Sequence, residues 1–455
     1  MNDELASLLG DRLRIGESRG GAWWPIVRAG ALTLEPAAAV ALPDSVDEVE
    51  TILAICARAR IPVIPVGGDS SVCGQTVPVA GGLVLDLTRL DRVLELDEQS
   101  LTVTVEPGLY GHRLEAWLRE RGYTLGHFPQ SIELSTVGGW LACRSAGQYS
   151  TRYGKIEEIV LGFDVALANG RTLSFRAVPA DATGPDLRRL FLGSEGTLGV
   201  FTRATLRIRP EPPAEERAAY AFASFAEGLD AMRRVLRRGT RPAVVRLYDE
   251  QESARLFDEE SALLLVLAEG EVDEVAWESA VVRDECGRER DSALVGRWLE
   301  HRNDVSAFDH AVAAGLVVDT IELAALWRDV PRVYEDVRAA VGGVPGTLAV
   351  TAHCSHAYTS GACLYFTFAG APVEGAAAYY HAAWDAALGA GAALSHHHGV
   401  GLVRAQSFAE RLGGPGLSLL QAVKDELDPV GILNPGKLAL VDRLGVGDAP
   451  WPPAR

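Results

Sequence analysis

The chain has no CxxC pair, no cysteine–histidine spacing that would suit a metal, and no long apolar run. Its six cysteines, Cys56, Cys73, Cys143, Cys286, Cys354 and Cys363, lie scattered among apolar or small residues. That distribution excludes a zinc framework or a disulfide scaffold and fits reduced thiols in a cytoplasmic protein. No segment approaches the ~20 apolar residues that a membrane span requires; Leu263–Ala268 is only a short strand-like run. The opening MNDELASLLGDRLRIG is acidic and lacks the apolar centre of a signal peptide. Positive charge is in deficit, with 43 Lys and Arg against 61 Asp and Glu and a net charge of −18. A field of that sign excludes nucleic acid and anionic membrane as partners, and any anionic ligand must be held by local donors. Internal repeats and low-complexity tracts are absent. So is a G-x-G-x-x-G opening a helix, the fingerprint of nicotinamide dinucleotide binding.

What the chain does have is three backbone-rich loops: PVGGDSSVCG (Pro65–Gly74), PQSIELSTVGGWLACRSAGQYSTRYG (Pro129–Gly154) and LGSEGTLGV (Leu192–Val200). Glycine lets peptide groups approach a ligand closely, and Ser and Thr add small hydroxyl donors. Successive main-chain N–H groups in such a turn form an anion site without net charge. Together the loops point to a large, polar, phosphate-bearing cofactor. Almost nothing in the second loop reads as helix or strand. Around them the pattern predicts a helix over Val46–Arg58 with Asp44 as N-cap, strands over Ile61–Val66, Leu83–Leu87 and Leu101–Val105, and a helix over Leu114–Arg121 ending at Gly122. Glu158–Leu167 and Leu173–Phe175 read as a hairpin about Asn169-Gly170, and Phe201–Ile208 as a further strand. PEPPAEE at Pro210–Glu216 marks a domain boundary. Beyond it lie a helix over Ala226–Arg238, strands over Val244–Leu247 and Leu263–Leu267, a helix over Val272–Asp284, and a closing helix over Leu417–Leu427.

PQSIELSTVGGW (Pro129–Trp140), RSAG (Arg144–Gly147), GPDLRRLFLGSEGTLGV (Gly184–Val200), SHAYTSGACLYFTF (Ser355–Phe368) and SHHHGVG (Ser395–Gly401) occur in that order. In these motifs the chain resembles flavoproteins of the vanillyl-alcohol-oxidase (PCMH) type, and within them the alkyldihydroxyacetonephosphate synthases. The resemblance runs from about residue 35 to Leu438. It implies an α+β fold: a two-subdomain FAD-binding domain over 35–210 and an α+β cap domain over 211–416. A segment 1–34 precedes these, and 417–455 returns to the FAD domain. It also implies noncovalent FAD, held by Pro65, Gly67, Gly68, Asp69, Ser70, Ser71, Pro129, Ser131, Thr136, Gly138, Gly139, Trp140, Ser145, Glu195, Gly196 and Val200. The first loop has no histidine for covalent attachment, and Cys143 is read as packing. Two departures stand out. The family's phosphate loop has a third glycine where this chain has Asp69, whose carboxylate is expected to point away from a pyrophosphate. Ser306–His310 replaces a Pro-Tyr-Leu-Arg-Asp stretch near the substrate.

For chemistry the candidates are Tyr365 and the run His396-His397-His398. Imidazole titrates near neutrality and suits acid–base work. An extended run would put His396 and His398 on one face and His397 on the other. Tyr365 and Thr367 share a face of their strand, opposite Leu364 and Phe366. Arg302 is the candidate anchor for a phosphate or carboxylate, with Arg246 and His353 as substrate neighbours. Relatives that oxidise 2-hydroxy acids bind a divalent metal with Glu-His-Gly; here His397-His398-Gly399 stands instead, so no metal is expected. The synthase resemblance implies exchange of the acyl group of acyl-dihydroxyacetone phosphate for a fatty alcohol through a flavin N5 adduct. The alternative is oxidation of a 2-hydroxy acid or another small hydroxylated substrate. The expected partner is a small or lipid-derived molecule, met at most by transient membrane contact, and a homodimer is left open.

Overall fold

A computed structural model describes residues 3–444 other than 18, 31, 35, 305, 372–374, 392 and 442. The fold is α+β. A four-stranded sheet runs in the order Leu13–Ile15, Ala39–Ala41, Leu83–Asp86, Val63–Val66. A five-stranded antiparallel sheet has the order Val93–Asp97, Thr102–Val105, Val200–Arg207, Val160–Ala166, Thr172–Phe175. The outer strand Leu13–Ile15 pairs with Ala39–Ala41, and Leu5 and Leu9 are buried in the same core. Within residues 1–34, Leu5, Leu9 and Leu13 thus join the core of the first sheet, whereas Trp24 and Ile26 pack in the core behind the seven-stranded sheet. At the other end, Leu433 bridges to Val63 and packs in that core too.

The helix Val46–Ala59 is capped by Ser45, whose Oγ accepts the Glu48 N–H at 3.2 Å. Asp44 is not the cap, because its carboxylate is drawn off by Arg12 and Arg89. The second glycine-rich loop also departs from the reading as irregular chain: it contains the helices Val137–Cys143 and Ser150–Tyr153. Gly138 and Gly139 are poor helix formers, yet Gly138 packs where a Cβ would press on Pro107. Tertiary contact overrides propensity there.

The remaining sheet has seven antiparallel strands: Glu289–Arg290, Ala214–Phe222, Ala262–Gly270, Val244–Tyr248, Thr347–Ser355, Gly361–Gly370 and Val317–Leu326. The strand Ala214–Phe222 begins inside the proline-rich segment. Side chains alternate across this sheet. Leu264, Val266, Leu364, Phe366 and Phe368 meet the helices Phe225–Arg237, Val272–Cys286, Val330–Gly342 and Ala376–Ala390. Leu263, Leu265 and Leu267 face the FAD-type domain and share its core. The last helix, Ala405–Leu427, starts well before Leu417 and is broken at Gly413, whose φ is 67°.

Candidate active site

A cavity of about 730 Å³ lies between the FAD-type domain and the open face of the seven-stranded sheet. All three glycine-rich loops reach it: Pro65, Gly67, Gly68, Asp69, Ser70 and Ser71 from the first, Pro129, Ser131, Thr136, Gly138, Gly139, Trp140 and Ser145 from the second, Glu195, Gly196 and Val200 from the third. The loops are fitted to each other. A Cβ on Gly67 would overlap Thr136 Oγ1, and one on Gly68 the Leu134 carbonyl. Asp69 sits at φ 56° and its carboxylate accepts the Gly20 and Gly21 N–H groups at 3.1 Å and the Thr76 hydroxyl at 2.7 Å. Both of its oxygens are thereby turned to the N-terminal segment. Trp140 Nε1 donates to Ser135 Oγ at 2.8 Å. Glu195 accepts main-chain N–H groups of Val400 (2.6 Å) and Gly401 (3.0 Å), tying the third loop to the histidine segment. Burial pushes Cys143 well above the ordinary thiol range. The cradle suits a flavin dinucleotide: peptide groups and hydroxyls line it, and the carboxylate of its phosphate loop is engaged elsewhere.

On the sheet side, strand register builds rows. Glu322, Tyr365 and His353 stand side by side on adjacent strands, as do Thr320, Thr367 and Thr351, and then Val318, Ala369 and Ala349. Tyr365, Thr367 and the other named members of these rows line the cavity, except Glu322. The Tyr365 hydroxyl lies 2.7 Å from His356 Nε2 and 3.1 Å from His397 Nε2. His353 stacks on the Tyr365 ring at 4.7 Å. Arg246 Nη2 donates to His353 Nε2 at 2.6 Å, so the His353 proton sits on Nδ1 and points to Glu252 Oε1 at 3.2 Å.

The histidine run is not an extended strand. It bends round the buried carboxylate of Glu322, which accepts the main-chain N–H groups of His396 (3.3 Å), His397 (3.2 Å) and His398 (2.6 Å). Ser395 Oγ and Arg404 Nη2 complete its shell at 2.8 and 3.1 Å. Five convergent donors overcome the alternation that an isolated extended run would show. Burial alone would raise the Glu322 carboxyl, but Arg404, His398 and Ser395 hold it down to about 2. His397 and His398 face the cavity, whereas His396 stands behind them. Burial lowers all the imidazoles: His353 to about 4, His396 to about 3, and His356 and His397 well below the ordinary value. Burial likewise raises the Tyr365 phenol. The cluster is therefore neutral near pH 7 and built to pass protons, not to hold charge. Glu322 does bring a carboxylate beside His397 and His398, but its oxygens are already occupied by the donors just named.

Charge at the cavity comes from arginine. The Arg302 guanidinium rests on the rings of Phe128, Tyr149 and Trp298 at 5.0–5.7 Å. The Arg246 guanidinium also lies 5.7 Å from the centre of the Trp298 ring. Among the described residues neither has a carboxylate within ion-pair distance; Arg246 is held by Tyr248, Ser355 and His353. The divergent stretch forms the helix Ser306–Ala313, whose Phe308 and Ala311 line the cavity while Asp309 pairs with Arg28.

Residues 37–176 match the FAD binding domain and residues 211–438 the C-terminal domain of FAD linked oxidases. The chain belongs to the FAD-linked oxidase family. FAD is its cofactor, and it is an enzyme. Alkyldihydroxyacetonephosphate synthase of Dictyostelium discoideum is 30% identical over 447 residues, 88% of this chain and 72% of that protein. An uncharacterized FAD-linked oxidoreductase of Escherichia coli (strain K12) is 30% identical over 443 residues and 91% of each chain. A solved alkyldihydroxyacetonephosphate synthase superposes with a TM-score of 0.78 at 25% identity, covering 96% of this chain and 85% of that one. p-Cresol methylhydroxylase shares the fold, with a TM-score of 0.75 at 17% identity over 96% of both chains. Among the described residues no helix is long and apolar enough to cross a membrane.

Sequence reading passed over His356, Glu322 and Arg404. His356 stands inside SHAYTSG, the motif that singled out Tyr365. Glu322 and Arg404 left a fainter signal, a charge within an otherwise mostly apolar stretch, in VVDTIELAAL (with Asp319) and GLVRAQ.

Proposed function

We propose that the enzyme acts on a small anionic substrate through synthase-type exchange, replacing the acyl group of acyl-dihydroxyacetone phosphate by a fatty alcohol. The observation that carries this reading is the pair of arginines, without ion-pair partners among the described residues, that line the same cavity as Tyr365, on a protein of net charge −18. Arg302 would fork onto the phosphate, with Arg246 holding His353 against the Tyr365 ring. The acyl C–O bond breaks and the carboxylate leaves with its electron pair. The alcohol oxygen forms the new C–O bond, and its proton passes to Tyr365. FAD, when bound, supplies the reacting ring and ends in its starting oxidation state. Gly67, Gly68, Ser70 and Ser71 would hold its pyrophosphate, and the other two loops its remainder.

A second reading is favoured by the threonine row next to Tyr365. Three hydroxyl-bearing side chains, Thr320, Thr367 and Thr351, make a polar floor where an alkyl chain would prefer an apolar one. That floor suits a hydroxylated acid, whose hydroxyl proton would pass to Tyr365, with FAD, when bound, supplying the hydride-accepting chemistry. Anaerobic titration of the flavin spectrum separates the two. Bleaching by 2-hydroxy acids means oxidation. A response to the acyl substrate alone, reversed by fatty alcohol without oxygen, means exchange. Silence to both classes removes both readings.

A further inference from the structure

Tyr365 stands within a chain of hydrogen bonds. Its hydroxyl meets His356 Nε2 and His397 Nε2. His356 Nδ1 lies 2.7 Å from Ser150 Oγ, and His397 Nδ1 lies 3.0 Å from His396 Nδ1. His396 Nε2 lies 2.7 Å from the Tyr358 hydroxyl. The order is Ser150, His356, Tyr365, His397, His396, Tyr358.

Proton counting constrains this chain. A neutral imidazole has one N–H and one bare nitrogen, and a hydroxyl has one proton. His397 and His396 each use both ring nitrogens within it, so each donates once and accepts once. Along the arm from Tyr365 to Tyr358 the direction of any one bond therefore fixes the others. In one polarity Tyr365 donates to His397, and in the other it accepts from His397. Tyr365, His356 and His397 line the cavity, whereas His396, Tyr358 and Ser150 do not, and Tyr358 is half-buried.

We propose that this arm is a proton relay leading from the substrate cavity to Tyr358, with His397 and His396 as its links. In both readings above, on which this proposal rests, a substrate O–H loses its proton. That O–H bond breaks to Tyr365 Oη, and the electron pair stays on the substrate oxygen. The proton already on Tyr365 passes to His397 Nε2, that on His397 Nδ1 to His396 Nδ1, and that on His396 Nε2 to Tyr358 Oη. The proton of Tyr358 leaves to water. Each link gains one proton and loses one, so no imidazolium persists in the buried cluster. The polarity of the arm is reversed afterwards, and one proton has left the cavity without opening it.

Tyr358 touches neither the cavity nor Tyr365, so Tyr358→Phe is the informative variant. In flavin-loaded protein with ¹⁵N-labelled histidine, losing the Tyr358 hydroxyl should shift the imidazole signals of His397 as well as His396. A shift confined to His396 overturns the arm. This measurement needs no substrate, so a wrong substrate assignment is told apart from a wrong arm. In turnover, kcat should fall at least roughly tenfold, with flavin content unchanged. The dependence of rate on deuterium fraction should change from curved, with several protons in flight, to linear. Wild-type kcat with an unchanged isotope effect overturns the relay. So does a slower variant that keeps the curved dependence, because packing damage alone would leave it so.

Discussion

At the scale of single residues, Tyr365 is set by its neighbours more than by its own chemistry. Its phenol is pushed above the ordinary range by burial, while the imidazoles beside it are pushed down. Neither group gains or loses charge easily alone, but a proton moves between them without net charge appearing in the cavity. Tyr365→Phe removes the hydroxyl and keeps the ring stacked on His353. Turnover should drop by roughly 10²–10⁴-fold, the usual weight of a placed acid–base group, while the ratio of flavin to protein absorbance stays at the wild-type value. Retained turnover would remove Tyr365 from the chemistry. The residue was legible in sequence because it lies in an unusual motif with strand alternation. Glu322 was not, since its partners His396–His398 and Arg404 are more than 70 positions away and nothing local marks them.

At the scale of elements, the cofactor cradle depends on loops touching loops. Gly68 meets the Leu134 carbonyl so closely that any side chain must push the first loop off the second. Gly68→Ala should cost about 1–3 kcal/mol through overpacking and release flavin, read as a lower melting temperature and a lower flavin-to-protein ratio. An alanine variant that kept both would show that the loops can part without harm. Glycine-rich composition revealed these loops, but it did not reveal the helix Val137–Cys143 inside one of them. Gly138, which argues against a helix, is there because Pro107 crowds the spot. Where packing chose the residue, local propensity misleads; where alternation ran unbroken, as over Gly361–Phe368, it did not.

At the scale of the whole molecule, buried titratable groups set how folding responds to acid. His127 and His396 are lowered to about 3 and His353 to about 4, and His356, His397 and His398 are lowered as well, all by burial. A histidine depressed in the folded state takes its proton first in the unfolded chain, so stability falls as pH drops below about 6.5. Each such histidine contributes a slope of about 1.4 kcal/mol per pH unit while only the unfolded form is protonated. Raised carboxyls oppose this: burial lifts Asp249 and Asp319 to about 6, and Asp69, Glu195, Glu269 and Glu278 are raised as well, so the folded state takes their protons as pH falls further. Lys437, lowered to about 7 by burial, contributes above neutrality, where stability rises towards pH 10.5, and nothing below pH 7. The six histidines charge in the unfolded chain from about pH 6.5, above the range in which the carboxyls take protons, and so dominate between pH 7 and 5.5. Denaturant unfolding across that interval should therefore show stability falling with a slope steeper than the ~1.4 kcal/mol per pH unit of a single proton. Glu322 extends the loss from about pH 4.5 downward, because its folded value of about 2 lies below the unfolded one. A flat or rising stability between pH 7 and 5.5 would mean that the histidine cluster is hydrated and charged in the folded enzyme. A neutral relay could not work there.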